Sequence, residues 1–322
     1  MGCRHGWLVS VSQEQKLKIL SNILGSPHIR GQENLFNCPK CDHQKKKLSI
    51  NIEKNVFKCW VCDWSGKNIY RIVKRYGTVD NRYTWKSFDD QLEIEKFSDK
   101  LFSRKEDTNT VKLSLPREFI SLANKNLPNT SMIPLNYLKS RGIDKNIITK
   151  WKMGYCPTGK YSGRILIPSF DEDGDINYFV TRSYDKNWKK YLNPNVSKDM
   201  IFNHPYIDFD KDVVLVEGVF DATKVGQNAI PLLGSTLNEN SKLFYEIVKN
   251  DSTVYLALDP DAHKKTSKIV SLFLKYDIQV FVIDVQPFSD VGEMTQQQFL
   301  QRKQTAVLLN INNYLLSKIA RI

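Results

Sequence analysis

The sequence predicts an α/β protein in several parts: a small β module at the N-terminus, a linker, a mixed α+β middle region and a parallel-sheet region towards the C-terminus. Three observations carry this reading. Four cysteines stand in two close pairs before residue 63, short aliphatic runs alternate with helical patterns from residue 211, and acidic residues fall at the ends of those runs. The 322 residues suffice for about two domains. With 41% hydrophobic and 25% charged residues, the chain cannot be wholly disordered. Six cysteines are too few for a disulfide scaffold. No apolar run approaches the roughly 18–20 residues of a membrane span, and no charged-then-apolar leader opens the chain. The expected setting is the cytoplasm (host cytoplasm for a viral protein), with reduced or metal-bound cysteines and no membrane partner.

The first element is the cysteine module. Cys38-Pro-Lys-Cys41 and Cys59-Trp-Val-Cys62 are two C-x2-C motifs separated by seventeen residues. Each short loop turns two thiolates towards one ion, which is the spacing of tetrahedral structural zinc. Between the pairs, Leu48–Ile52 alternates apolar and polar residues and 55–58 returns, as in a hairpin. Four thiolates close the shell, so His43 is expected at the surface, and Cys3 and Cys156 are expected to be ordinary cysteines. The module is basic and carries Phe36, Phe57, Trp60 and Trp64. Some of these rings must form its small core, Phe57 among them. An exposed one such as Trp60 suits stacking on unpaired bases while lysines meet phosphates. Asn68–Tyr76 has helical spacing.

Charge distribution supports the division into parts. The formal net charge is +12, which alone fits a nucleic-acid partner or a solvated surface equally. Residues 1–80 hold 14 basic against 6 acidic residues, 116–212 hold 15 against 11, and both 81–115 (7 against 7) and 213–322 (11 against 11) balance. The boundaries read as a cysteine module over 1–78, a linker over 79–115 with a helix around Phe88–Phe102, a basic region over 116–210, an α/β region over 211–303 and a C-terminal helix over 304–322.

In the α/β region, Val213–Val216 is a continuous aliphatic strand ending at Glu217. Ala229–Leu233, Thr253–Leu258 and Gln279–Ile283 read as further strands, with helices over Leu243–Val248 and Lys268–Tyr276. Glu217, Asp259 and Asp261 fall at strand ends and Asp290 in a following loop. A parallel sheet places its site at such carboxyl ends. A single acid there is often a helix cap, but converging carboxylates repel unless a cation neutralises them. Oxygen ligands without His or Cys suit Mg²⁺ or Mn²⁺, the metals of phosphodiester chemistry.

These residues resemble a family. Glu217-Gly-Val-Phe-Asp221 followed by Asp259-Pro-Asp261 resembles the Toprim signature of primases, topoisomerases, small nucleases and a recombination mediator. Arg164–Pro168, Asp173-Gly174, Asn177–Arg182 and Lys190–Pro194 resemble the basic subdomain of bacterial-type, DnaG-like primases. With the zinc ribbon, the resemblance spans most of residues 30–305 and is strongest to the stand-alone primases of tailed phages. It implies Cys38, Cys41, Cys59 and Cys62 as zinc ligands, Glu217, Asp259, Asp261 and Asp290 as magnesium ligands, and Asp221 as a supporting acid. It also implies Arg164, Arg182 and Lys190 near the template or nucleotide phosphates. The implied activity is synthesis of short RNA primers from ribonucleoside triphosphates on single-stranded DNA, beside a separate replicative helicase. A metal-dependent nuclease and a non-catalytic DNA-binding or helicase/recombination accessory factor are the alternatives. Three departures from the family stand out. Ala262-His-Lys-Lys265 replaces the glycine that often follows the D-x-D, so Lys264 or Lys265 is expected to meet phosphate there. The ribbon has four Cys where many relatives carry a His. Few residues follow the α/β region and no G-x-x-x-x-G-K-[ST] occurs, so ATP-driven unwinding is not expected.

Overall fold

In a computed structural model, the placement of residues 4–88, 113–185, 189–235 and 237–309 is described. The chain divides into two units, residues 1–110 and 111–322.

In the first unit, α1 (Arg4–Leu24) precedes a five-stranded sheet ordered β1 (His28–Arg30), β2 (Glu33–Phe36), β3 (Leu48–Asn51), β4 (Val56–Cys59) and β5 (Ser65–Gly66). All neighbours whose register is given pair antiparallel, and β3–β4 is the hairpin expected between the cysteine pairs. Asn55 takes the left-handed conformation (φ 54°) in its turn, and the Asn55 side chain accepts the Ile69 N–H at 2.9 Å, tying the turn to the start of α2 (Tyr70–Tyr76). Phe36, Leu48, Ile50 and Phe57 are buried with Ile72 and Val73 of α2. Phe57 meets Trp64 edge-on at 4.8 Å. Ile19 and Leu20 of α1 enter the same core, as does Trp85 from α3 (79–88). The sequence reading anticipated neither helix. The helix it placed at Phe88–Phe102 lies, beyond residue 88, outside the described residues, as do Cys3 and most of the linker. Residues 79–88 are instead a helix anchored by a buried tryptophan.

The second unit contains an antiparallel sheet ordered β6 (Ile120–Ser121), β7 (Gly154–Cys156), β8 (Arg164–Phe170) and β9 (Ile176–Ser183), with α4 (Met132–Ser140) and α5 (Lys145–Lys150) inserted before β7. Cys156 is fully buried, and burial, with the Glu118 charge, pushes its thiol up to about 12. It is an inert core thiol.

The other sheet of this unit is formed by β10 (Val213–Val216), β11 (Ala229–Pro231), β12 (Val254–Ala257), β13 (Val280–Val282) and β14 (Val307–Leu309), ordered β11-β10-β12-β13-β14. The first four are parallel, as the continuous aliphatic runs require. Between them lie α6 (Val219–Val225), α7 (Lys242–Lys249) and α8 (His263–Lys275), and α9 (Gln296–Gln304) precedes β14. Helix α8 begins five residues before the sequence reading put it. The helix expected over 304–322 is corrected at its start. Val307–Leu309 pairs antiparallel with β13, because an apolar edge backbone beside an open strand gains a hydrogen-bonded ladder. Residues from 310 lie outside the described residues. Among the described residues no helix is long and apolar enough to cross a membrane.

Candidate metal and nucleotide site

The four cysteines are brought together by the two turns that flank β3 and β4. Their sulfurs lie within 4.8 Å of one another, with Cys38 to Cys62 at 3.8 Å and Cys41 to Cys59 at 3.9 Å. A tetrahedron of Zn–S bonds of about 2.3 Å has edges of about 3.8 Å, so the group fits zinc without rearrangement. Burial opposes ionisation of Cys59, but the Cys62 and Val61 backbone N–H groups outweigh it and bring the thiol down to about 7. His43 stays outside, its Nδ1 accepting the Lys45 N–H at 3.1 Å. Of the ribbon's aromatics, Phe36 and Phe57 are core, Trp64 is half-buried and Trp60 is 65% exposed, with the Lys58 ammonium 4.7 Å from its ring centre.

The acidic residues sit where the parallel strands end. Val216 aligns with Ala257, and Leu256 with Val282, so the three loops that follow open at one edge. Glu217 directly follows β10, Asp259 and Asp261 follow β12, and Asp290 lies between β13 and α9. Asp259 is pushed up to about 6 by burial and by the charges of Glu217, Asp290 and Asp261, so each of these carboxylates lies close enough to act on Asp259. Asp259 is not a helix cap, since Ala262 holds that position before α8. Among the described residues only the cysteines form a group of three or more with ligand atoms all within 4.8 Å, so the acids do not form a closed cage.

Asp221 plays a different part. It is 7% exposed and accepts backbone N–H groups from Gly218 at 2.8 Å and Gly292 at 3.0 Å. Burial and the nearby Asp290 and Asp259 charges push it up to about 7. It braces the loops rather than opening to solvent. Asp290 accepts the Glu293 N–H at 3.0 Å, which fixes its turn.

One basic position differs from expectation. Arg164 is 1% exposed and donates to the Lys189 carbonyl at 2.7 Å. It pins the 189–190 backbone from inside and cannot meet a template, because its strand position points into the unit. Lys264 is exposed on the first turn of α8, whereas Lys265, one residue on, turns inward and meets Glu217 Oε2 at 2.7 Å. Arg182 is half-buried. It donates to the Tyr137 and Tyr191 hydroxyls, both at 2.7 Å, and its guanidinium lies 5.2 Å from the Phe220 ring centre. Arg141 approaches Phe220 at 4.9 Å. Lys190 is exposed beside Tyr191. The sequence reading did not single out Arg141, Tyr137 or Phe220. Only Phe220's place between Glu217 and Asp221 gave any signal.

The Glu217 Oε1 atom is buried without a hydrogen-bond partner. A buried carboxylate oxygen without a partner, on a glutamate whose charge acts on Asp259, fits a hard divalent cation, which would supply the missing contact and offset the repulsion.

No protein-family model matches the chain. It is similar to the DNA primases of Mycoplasma genitalium (22% identity, 88% of this chain and 56% of the relative), Legionella pneumophila (23%; 73% and 48%) and Thermotoga maritima (25%; 51% and 37%). The chain thus spans roughly half the length of these curated relatives, or less. Among solved structures, a DnaG primase catalytic domain bound to single-stranded DNA matches with a TM-score of 0.51 and 16% identity over 60% of this chain and 76% of that one. The DnaG catalytic core matches at 0.51 with the same identity, over 60% and 78%. These structural matches establish a shared fold.

Proposed function

We propose that this homologue of the bacterial DnaG-like primases synthesises short RNA primers on single-stranded DNA by metal-dependent nucleotidyl transfer. The reading is supported by the position of Glu217, Asp259, Asp261 and Asp290 after strands that end at one edge of a parallel sheet, by their charge effects on Asp259, and above all by a buried oxygen of Glu217 left unpaired. In this reading residues 1–78 are the zinc ribbon, 116–210 the basic subdomain and 211–303 a Toprim subdomain. Zinc on Cys38, Cys41, Cys59 and Cys62 closes the ribbon and gives it no catalytic position.

Glu217, Asp259, Asp261 and Asp290 would hold Mg²⁺ or Mn²⁺, which supplies activation of the attacking hydroxyl and neutralisation of the departing pyrophosphate. Asp221 holds the Glu217 and Asp290 loops in register through its two backbone contacts. Arg182, kept in one orientation by two tyrosine hydroxyls and the Phe220 face, orients the incoming triphosphate. Lys190 adds a charge for the same phosphates. Trp60 and Lys58 present a ring and an ammonium to the template strand. The expected partners are single-stranded DNA, ribonucleoside triphosphates and a separate replicative helicase, in the cytoplasm.

The test is primer synthesis from ribonucleotides on single-stranded DNA with Mg²⁺. Glu217→Gln should abolish the product. Equal yields from the variant and the wild type would refute the site. Metal-dependent loss of labelled DNA without nucleotides would point to a nuclease instead.

A further inference from the structure

We propose that Lys265 is a built-in counter-ion that holds Glu217 in the metal-free protein and is displaced when a divalent cation enters the acidic cluster. This rests on the metal-site reading above and adds a competitor to it. Lys265 lies in the first turn of α8, 48 residues from Glu217 in sequence, and its ammonium donates to Glu217 Oε2 at 2.7 Å. The two side chains are only 27% and 21% exposed, so the pair is better shielded than an ordinary surface ion pair. The charge of Lys265 also reaches Asp259, where it opposes the repulsion from Glu217, Asp290 and Asp261.

One ammonium meets Glu217 and acts on Asp259, so its compensation of four acids is partial. It satisfies one oxygen of Glu217 and leaves the other buried and unpaired. That is the arrangement of a placeholder. The cluster is held together well enough to fold, yet keeps an unmet demand for a cation of higher charge. Lysine suits the task because its charge sits on a flexible four-carbon stem that can withdraw, unlike a planar guanidinium fixed by several bonds. A cation drawing on both Glu217 oxygens must break the 2.7 Å contact, and the two positive charges repel at this range. Lys265 therefore lowers the affinity of the site for metal while stabilising the empty site. It is a positioning residue.

Binding of Mn²⁺ to the full zinc-loaded chain, followed by the electron paramagnetic resonance of the free ion, tests this. Lys265→Met should bind Mn²⁺ about tenfold more tightly than the wild type, and Lys265→Arg, which keeps the charge on a less yielding group, should show no gain over the wild type. Equal or weaker binding by Lys265→Met overturns the proposal. Melting curves provide a second measurement should that variant fail to fold. Mn²⁺ should raise the melting temperature of Lys265→Gln by more than it raises that of the wild type, and equal increments overturn the proposal. A wild type that binds no Mn²⁺ outside the ribbon would refute the metal site itself, whereas a wild type that binds with no gain in the neutral variants refutes only the role of Lys265.

Discussion

The Asp221 carboxylate accepts the Gly292 backbone N–H at 3.0 Å, joining the helix that follows β10 to the turn that carries Asp290. Space at this joint is limiting. A Cβ on Gly292 would stand 2.9 Å from Asp221 Oδ1, 3.0 Å from Asp290 Oδ1 and 3.5 Å from Arg141 Nη2. Gly292→Ala should therefore push apart two carboxylates that the site needs in register. Because a misplacement of about 1 Å can cost about a hundredfold in rate, primer synthesis should fall at least tenfold while zinc content stays at the wild-type value. Unchanged synthesis would show that the Asp290 turn is not part of the working site.

Metal removal should act on the ribbon as a folding event. The four thiols are the meeting point of two turns, and the module's core is small. Cys38→Ser should lose zinc, measured by elemental analysis, and expose the Phe57–Trp64 contact, measured by tryptophan fluorescence and by faster proteolysis of the first unit. A variant that lost zinc but kept protease resistance would mean the hydrophobic core suffices.

Among the four ribbon aromatics Phe36, Phe57, Trp60 and Trp64, Trp60 is the exposed one, so its removal should change binding without changing stability. Stacking of a base on an aromatic side chain is worth about 1–3 kcal/mol. Trp60→Ala should accordingly weaken binding of a single-stranded oligonucleotide about five- to a hundredfold in an anisotropy titration, with an unaltered melting curve. Lys58→Ala should lower the salt dependence of the same binding by about one ion. A Trp60→Ala protein with wild-type affinity would place the template elsewhere.

Much of this arrangement was legible in the sequence for identifiable reasons. Zinc ligation fixes the spacing of Cys38, Cys41, Cys59 and Cys62, and burial makes Val213–Val216 a continuous aliphatic run and Val254–Ala257 a continuous apolar one. What escaped depends on tertiary context. The choice between Lys264 and Lys265 turns on the phase of α8, set by a start at His263 that no cap residue announces. Arg164 has the type of a surface residue but sits under the 189–190 backbone. Val307–Leu309 is three apolar residues long, too short for its period to distinguish strand from helix.

The acidic cluster gives stability a pH dependence with a definite sign. Asp259 titrates near 6 in the folded protein against an ordinary 3.8, and Asp221 near 7. Between the unfolded and folded values the native state holds protons that the unfolded chain has released, so stability falls as pH rises through that window and levels off above it. Without added divalent cation, the stability of Asp259→Asn relative to the wild type should rise between pH about 4 and 6, by about 1 kcal/mol once partial exposure is discounted. Mg²⁺ should remove the difference by stabilising the ionised wild type. A pH-independent gap would mean that Asp259 ionises without strain.

Arg164 and Arg182 both occupy strands of the antiparallel sheet, but their loss should have opposite consequences. Arg164 is enclosed and donates to the Lys189 carbonyl at 2.7 Å, so Arg164→Met removes a buried guanidinium and its charge-assisted hydrogen bond. That costs about 1–3 kcal/mol, or several degrees in a unit of this size, and affinity for nucleotides in the remaining folded protein should be close to normal. Arg182 is held by the Tyr137 and Tyr191 hydroxyls against Phe220. Arg182→Met should raise the KM for ribonucleoside triphosphates about tenfold or more with a smaller change in melting temperature than Arg164→Met. Melting curves and nucleotide titrations on the two variants separate the roles. If Arg164→Met melted normally yet bound nucleotide poorly, the buried arginine would have to reach the ligand through an opening of the 189–190 segment, and Arg182 would lose its assignment as the orienting group.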